Sequence, residues 1–199
     1  MTVLTGVLIP VKSFTEAKVR LAPALDTTSR AILARQMAGV VIAAASPLPV
    51  AVVCDDDDVA EWATSVGAEV FWRPERGLNG AVADGVDRYA ARGFERVIVA
   101  HADLPLAEHL GWVAEFDGVT LVPDRRDDGT NVICVPAASG FRFSYGGGSF
   151  RRHRLEADRL GLASRVVRER RLGWDVDHPA DLELPTDLVV GEPFTRGLA

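Results

Sequence analysis

A basic loop near the N-terminus is the first group of residues that could do chemistry. Lys12, Lys18 and Arg20 lie close together in the chain, directly after an apolar stretch. Three neighbouring cations could neutralise a triphosphate and later the pyrophosphate that leaves it. A solvated basic loop is the alternative interpretation of the same residues.

Carboxylates in two other places could bind a hard cation. Asp103 directly follows the apolar stretch 96–100, in the sequence HADLPL. Asp175 and Asp177 are two residues apart, so on an extended segment both side chains point the same way. Such oxygens could hold Mg²⁺ at a phosphate. The alternative role of each carboxylate is to cap a following helix.

A glycine-rich stretch, SYGGGSF at 144–150, precedes a predicted helix. Glycines let the backbone approach an anion closely, and the first N–H groups of a helix point toward that anion. The cations that follow, Arg152 and His153 among them, oppose the helix dipole and suggest that an anion compensates for them. A flexible turn is the alternative. Thr130 and Asn131 add a hydroxyl and an amide suited to phosphate or carboxylate oxygens.

These stretches together predict a site with metal-binding carboxylates, a cationic loop for a nucleotide and a glycine loop for a second anion. Two anionic substrates and Mg²⁺ indicate transfer of a nucleotidyl group to a phosphate. That reaction needs no Ser–His–Asp triad, because the phosphate is itself a nucleophile. The first loop contains neither G-x-x-x-x-G-K-[ST] nor G-x-G-x-x-G, which argues against a P-loop NTPase and a dinucleotide-binding dehydrogenase.

The composition of the chain indicates its class. The 199 residues carry 22 Lys+Arg and 28 Asp+Glu, a formal charge of −6, and 48% of them are hydrophobic. This composition is typical of one globular domain, and a net acidic chain is a poor candidate for binding nucleic acid. Cys54 and Cys134 are too few for a disulfide framework or a zinc site, so both are expected to be buried thiols.

Two stretches bear on membrane association. The N-terminus has no basic residues before its apolar stretch, which argues against a signal peptide. Residues 37–54 carry no charge and are long enough to span a membrane, but Pro47 and Pro49 divide them into a helix and a strand. We therefore expect a soluble cytoplasmic protein with no membrane partner.

The pattern of apolar and polar residues predicts the elements that position these loops. Short β-branched stretches alternate with helical ones, which indicates an α/β domain with a mostly parallel sheet covered on both faces. We predict strands at 3–11, 50–54, 69–72, 96–100, 119–122, 131–135 and 165–170. We predict helices at 30–45, after the aspartates 55–58, and at 79–91, 108–115, 149–162 and 179–184. The domain is expected to cover 1–190, with a tail at 191–199. In such sheets ligands bind beyond the carboxyl ends of the strands, where the polar loops lie.

The motifs, taken in order, resemble the guanylyltransferases of coenzyme F-420 biosynthesis. The resemblance covers 6–188 and is carried by IPVKSFTEAKVRL, HADLPL, DDGTNVICVP, FSYGGGSF and DVDHPADL. Members of that family join GMP from GTP to phosphoenolpyruvate or 2-phospho-L-lactate and release pyrophosphate. The resemblance implies a single-domain nucleotidyltransferase with a Rossmann-like mixed sheet. It also implies Mg²⁺ as cofactor, and GTP and a small phosphorylated carboxylic acid as substrates.

The resemblance also implies roles for individual residues. Asp103, Asp175 and Asp177 would hold the metal ions, and Lys12 and Lys18 would hold phosphates. Residues near the glycine loop would bind the acceptor acid: Thr130, Asn131, Gly146, Ser149 and His153. Residues of the GLNGAV stretch would lie near the guanosine: Gly77, Asn79 and Gly80.

Several alternatives stay open on the sequence alone. Phosphoenolpyruvate and 2-phospho-L-lactate share a phosphate and a carboxylate; the Ala-, Arg- and Asp-rich composition favours the former as acceptor, and 3-phosphoglycerate is a third candidate. Other functions are nucleotidyl transfer to a molybdopterin or a sugar phosphate, and binding of GTP or a metabolite without turnover. A homodimer, and handover of the product to a downstream transferase, are also open.

Overall fold

A seven-stranded sheet is the centre of the fold in the computed structural model, which describes residues 3–189. The strands are β1 Thr5–Pro10, β2 Val50–Cys54, β3 Glu69–Trp72, β4 Arg96–Ala100, β5 Val119–Pro123, β6 Thr130–Pro136 and β7 Ser164–Val166. Their order across the sheet is β3-β2-β1-β4-β6-β5-β7. Strand β6 runs antiparallel to β4 and β5, whereas the other pairs are parallel. The predicted α/β class with a mixed, mostly parallel sheet is therefore confirmed.

Four helices connect the strands. They are α1 Thr27–Ala44, α2 Asp57–Ser65, α3 Gly77–Ala91 and α4 Ser149–Arg159. Aspartates begin the first two: Asp26 accepts from Ser29 N at 2.7 Å, and Asp56 accepts from Val59 N at 3.0 Å. Each carboxylate thus satisfies an N–H group that the helix itself leaves without a partner.

The two faces of the sheet bury separate cores. Along β1, Val7 and Ile9 face one core and Leu8 faces the other, as the period-2 alternation of a strand requires. Helices α1 and α2 cover the first core, and α3 and α4 cover the second. With both faces covered, loops at the strand ends are the places where polar groups can meet a ligand.

Three predicted elements differ from the structure. The predicted helix 108–115 is a short 3₁₀ turn, Leu110–Ala114, because His109 adopts φ 47°, outside the right-handed helical region. The segment 179–184 is likewise a 3₁₀ turn, Pro179–Leu182. The predicted strand 165–170 ends early, at Val166, and the chain leaves the sheet where Arg168 pairs with Asp127.

Cys54 and Cys134 are buried free thiols, as predicted. Among residues 3–189, no helix combines the length and the apolar character needed to cross a membrane. The predicted tail 191–199 lies outside the described residues.

Candidate active site

A cavity of about 420 Å³ opens at the carboxyl ends of β1, β2 and β4. Its wall includes residues 10–12 after β1, residues 53–55 at the end of β2 and residues 101–103 after β4. The first turn of α3, residues 77–78, contributes to another side. The cavity thus lies where ligands of α/β sheets bind, and Lys12 lines it with an exposed side chain.

An ion cluster of two cations and two carboxylates lies at one side of this cavity. Lys18 Nζ donates to Asp103 Oδ2 at 2.5 Å and to Asp177 Oδ1 at 3.0 Å. Arg20 Nη1 donates to Asp177 Oδ2 at 3.3 Å. Lys18 itself adopts φ 55°, a left-handed conformation that costs a non-glycine residue about 1–2 kcal/mol. The fold therefore brings the basic loop onto two of the three predicted carboxylates.

Lys18 and Asp103 favour each other's charged form in the folded protein. Burial by itself lowers the pKa of Lys18, but Asp103 and Asp177 outweigh that effect and raise the pKa above its usual value. Burial by itself raises the pKa of Asp103, but Lys18 and then His101 outweigh it and hold that pKa below its usual value. Each partner thus keeps the other ionised.

Asp175, the third predicted carboxylate, lies near Asp103 and Asp177 but contacts different residues. Its Oδ1 is 3.5 Å from Asn131 Nδ2 and 3.5 Å from Arg125 Nη1. Burial, followed by the charges of Asp103 and Asp177, raises its pKa. Within the described range 3–189, no three His, Cys, Asp or Glu side chains are grouped closely enough to hold a metal ion.

Two carboxylates are nevertheless enough to bind Mg²⁺ at a phosphate. Mg²⁺ at a phosphate commonly takes one or two carboxylates, and substrate oxygens and waters complete its octahedron. Asp103 Oδ1 is buried and has no hydrogen-bond partner in the part of the chain that the structure describes. Asp103 and Asp177 therefore form an oxygen pair that could hold Mg²⁺.

The glycine loop, residues 144–148, satisfies most of its own polar groups. Gly146 and Gly148 adopt φ 108° and 72°, conformations that only glycine enters without strain. Arg152 donates to Gly147 O at 2.6 Å and to Ser144 O at 2.8 Å, while Gly148 N donates to Asp128 Oδ1 at 3.0 Å. Arg152 thus has partners within the loop, so its position in the first turn of α4 has a structural explanation besides the predicted anion.

His153 is a buried residue that hydrogen-bonds to this loop. The ring is fully buried; Nε2 accepts from Ser144 N at 2.9 Å, which leaves the proton on Nδ1, 3.0 Å from Thr130 Oγ1. Burial, followed by the charge of Arg152, lowers the pKa of His153 to about 4. Both ring nitrogens are therefore occupied in a neutral imidazole. Although predicted to contact the acceptor, His153 is placed to hold the loop and Thr130.

The other predicted acceptor residues lie in this loop, at the start of α4 and at the start of β6. Asn131 is buried and donates from Nδ2 to Leu172 O at 2.9 Å. Ser149 is also buried, at the first position of α4, and its backbone N donates to Gly146 O at 3.0 Å. Gly146 is exposed. Thr130, Gly146 and Ser149 thus lie in or beside the loop, at the start of β6 and of α4, whereas the side chain of Asn131 contacts Leu172 and Asp175.

The three residues predicted near the guanosine make contacts that differ from one another. Gly77 lines the cavity at φ 59°. Asn79 Oδ1 accepts from Tyr145 N at 2.6 Å and so ties α3 to the glycine loop. A Cβ at Gly80 would lie 3.3 Å from the Cβ of Arg76, so Gly80 allows that side chain to pack on α3.

Two further residues of the site received no role from the sequence. His101 lines the cavity, and its ring centroid lies 4.9 Å from that of Tyr145 in the glycine loop. The only signals in the sequence were their places in the motifs HADLPL and FSYGGGSF. Both become conspicuous only once their neighbours are placed.

Comparisons with known proteins identify the family of the chain. The family model described as "Guanylyl transferase CofC like" matches residues 5–189. Over 194 residues the chain is 33% identical to the phosphoenolpyruvate guanylyltransferase of Sphaerobacter thermophilus, covering 90% of this chain and 91% of that protein. Over 186 residues it is 34% identical to the 2-phospho-L-lactate guanylyltransferase of Methanothermobacter thermautotrophicus, covering 89% and 82%.

The fold has relatives among solved structures as well. A structure from Desulfovibrio desulfuricans G20, assigned to the nucleotide-diphospho-sugar transferases, superposes with a TM-score of 0.72. The superposition covers 89% of this chain and 84% of that chain, and the two sequences are 17% identical, so the likeness concerns the fold alone. The sequence match over almost the whole described chain decides the family. The chain therefore belongs to the CofC-like guanylyl transferases, a family of nucleotidyltransferases.

Proposed function

We propose that this protein is a Mg²⁺-dependent guanylyltransferase of coenzyme F-420 biosynthesis. It transfers GMP from GTP to the phosphate of phosphoenolpyruvate, or of 2-phospho-L-lactate, and releases pyrophosphate. The observation that carries the proposal is the contact of Lys18 Nζ with both Asp103 and Asp177 at the cavity. Relatives named for either acceptor match most of the chain, which supports a small phosphorylated acid.

The transfer needs no catalytic base. An oxygen of the acceptor phosphate forms a bond to the α-phosphorus of GTP. The bond from that phosphorus to the oxygen bridging to the β-phosphorus breaks, and its electron pair leaves with pyrophosphate. Because the attacking phosphate oxygen is already deprotonated at neutral pH, the residues need only position two anions and offset their charge.

The ion cluster would meet the reacting phosphates. Asp103 and Asp177 would hold Mg²⁺, with Asp175 as a third carboxylate beside them. When bound, Mg²⁺ neutralises phosphate charge and aligns the attacking and leaving oxygens. Lys18 lies between the two carboxylates, and Lys12 lines the same cavity, so both can offset charge that develops on the leaving pyrophosphate.

The remaining residues would bind the other parts of the substrates. We assign the acceptor acid to Thr130, Gly146 and Ser149 around the glycine loop, and to Asn131, which follows Thr130 in β6. His153 would hold Thr130 and the loop in place. The guanosine would lie near the start of α3, where Gly77 and Leu78 line the cavity.

A substrate matrix tests this function. Pyrophosphate release is measured with Mg²⁺ and each pair of GTP, ATP or CTP with phosphoenolpyruvate, 2-phospho-L-lactate or 3-phosphoglycerate, and the product is identified by mass. Release with GTP and phosphoenolpyruvate or 2-phospho-L-lactate supports the proposal. Release only with another nucleotide or with 3-phosphoglycerate, or no release even with the downstream transferase present to trap the product, overturns it.

A further inference from the structure

Three buried side-chain atoms, on two residues that line the cavity and on a tyrosine whose ring packs against one of them, have no hydrogen-bond partner among residues 3–189. They are His101 Nε2, Asp103 Oδ1 and Tyr145 Oη. Buried polar atoms in folded proteins are nearly always paired, so each exception calls for an explanation. The cation proposed above accounts for Asp103 Oδ1. The atoms of His101 and Tyr145 have no role in the proposed transfer.

These two side chains lie against each other. Their ring centroids are 4.9 Å apart, and His101 is two residues from Asp103 in the segment after β4. The Tyr145 ring also packs edge-on against His153, at 4.9 Å between centroids, and stacks on Phe143. The ring of Tyr145 is therefore held on several sides, next to the cavity wall that His101 forms.

The chain's other tyrosine shows what a structural hydroxyl does in this fold. Tyr89 is also buried, and its hydroxyl donates to Val7 O at 3.0 Å. Tyr145 is 8% exposed, and no atom of the described chain pairs with its hydroxyl. Phenylalanine would fill the same space without leaving a buried hydroxyl unpaired. The Tyr145 hydroxyl is thus better explained by a ligand than by packing.

We propose that Tyr145 Oη and His101 Nε2 bind the carboxylate of the acceptor acid. Burial raises the pKa of Tyr145, so its hydroxyl keeps a proton to donate. A histidine ring N–H is a second donor, and a carboxylate accepts from both. The reacting phosphates are assigned to the ion cluster that contains Asp103, so the neighbouring donors on His101 and Tyr145 would meet the carboxylate at the other end of the same small molecule.

This inference rests on the proposed function and makes Tyr145 and His101 determinants of specificity. A phosphate ester that lacks the carboxylate would leave both donors unpaired in a buried site. Such a loss strongly disfavours the wrong ligand, because water cannot replace the missing partner there. The two residues would therefore separate phosphorylated acids from other phosphate esters, a choice that the metal and the lysines cannot make.

Tyr145→Phe tests the proposal, and Tyr89→Phe is its matched control. We expect Tyr145→Phe to raise the KM of the acceptor acid by about tenfold or more and to leave the KM of GTP within about twofold. Its thermal midpoint should not fall, because no bond to the described chain is lost. Tyr89→Phe should do the opposite: the midpoint falls because the bond to Val7 is lost, and both KM values stay unchanged.

A second acceptor makes the assignment to the carboxylate specific. Isopropyl phosphate carries a methyl group in place of the carboxylate of 2-phospho-L-lactate. Tyr145→Phe should lower kcat/KM for the acid but leave the slow reaction with isopropyl phosphate unchanged. An unchanged KM for the acid, an equal loss with both acceptors, or a lower thermal midpoint would overturn the inference. If wild-type protein releases no pyrophosphate with any acid, even with the downstream transferase present, the proposed function fails as well. If wild-type protein does release pyrophosphate with an acid, only the inference has failed.

Discussion

Lys18 Nζ lies 2.5 Å from Asp103 Oδ2, although the two residues are 85 positions apart in the chain. The parallel strands β1 and β4 are neighbours in the sheet, so the segments that follow them meet at the same edge. The contact therefore follows from the topology. It places a cation and a carboxylate where the proposed GTP and Mg²⁺ would react.

Replacing Asp103 by Asn should abolish most of the activity and leave the fold intact. The amide keeps the size of the side chain but cannot supply a charged oxygen to a cation. We expect pyrophosphate release to fall by about 10²–10³-fold. The thermal midpoint should barely move, because Lys18 keeps its bond to Asp177. Asp187→Asn, which alters an exposed pair with Arg170, is the control and should keep the wild-type rate. A wild-type rate for Asp103→Asn would refute the metal assignment.

Replacing Lys18 by Met should destabilise the protein in the absence of substrate. The change leaves Asp103 and Asp177 close together without the ammonium group that offsets both. We expect the free energy of unfolding to fall by about 2 kcal/mol. Added Mg²⁺ should restore more stability to this variant than to wild-type protein, because the ion replaces the lost charge. Thermal unfolding with and without Mg²⁺ measures both effects.

A matched variant controls for general loss of positive charge. Arg168 pairs with Asp127 at the surface, with 63% of its side chain exposed. Arg168→Met should lower the free energy of unfolding much less than Lys18→Met does, because an exposed ion pair contributes little to stability. Equal destabilisation by the two substitutions, or no response of Lys18→Met to Mg²⁺, would contradict the role given to Lys18.

Ser149→Ala should weaken binding of the acceptor acid more than binding of GTP. Ser149 begins α4 beside the glycine loop, on the side of the site assigned to the acid. Removing one hydroxyl contact to an anion should raise the KM of the acid by about tenfold. Steady-state kinetics with each substrate varied in turn measures the two KM values. Ser139→Ala removes another buried serine hydroxyl and should change neither; equal effects of Ser149→Ala on both substrates would count against the assignment.

His153 should make stability depend on pH. Its pKa is about 4 in the folded protein, below the value of about 6.5 expected for an unfolded chain. The unfolded state therefore binds more protons between these values, so stability is lost as pH falls from about 6.5 to about 4. Between about pH 7.5 and pH 5, wild-type protein should lose about 2 kcal/mol more than His153→Gln.

Urea unfolding at the two pH values measures this difference. Carboxylates titrate in both proteins, so their contribution largely cancels in the comparison. An equal loss of stability in wild-type protein and in His153→Gln would show that His153 is not held neutral by its bonds to Ser144 and Thr130.

The strands and the ion cluster were predictable because they depend on simple patterns. Strands β2, β3 and β4 begin and end where the apolar, β-branched stretches do. The meeting of Lys18 with Asp103 follows from the rule that parallel strands present their carboxyl ends at one edge. Burial and chain topology, which the sequence pattern reflects, decide both features.

The hydrogen bonds of the glycine loop were not predictable in the same way. The bonds from Arg152 to Gly147 O, and from Tyr145 N to Asn79, depend on backbone angles that glycine leaves open. Gly146 adopts φ 108°, and no local pattern selects that value over others that glycine can adopt. The unpaired atoms of His101 and Tyr145 within residues 3–189 become visible only after every neighbour is in place.

One labelling measurement tests the central claim most directly. Phosphoenolpyruvate, or 2-phospho-L-lactate, is prepared with ¹⁸O in the three non-bridging phosphate oxygens and incubated with the protein, GTP and Mg²⁺. Mass spectrometry of the products should find all three labels in a compound of GMP and the acid, and none in pyrophosphate. Unlabelled GMP alone, or label in pyrophosphate, would contradict attack of the acceptor phosphate on the α-phosphorus of GTP.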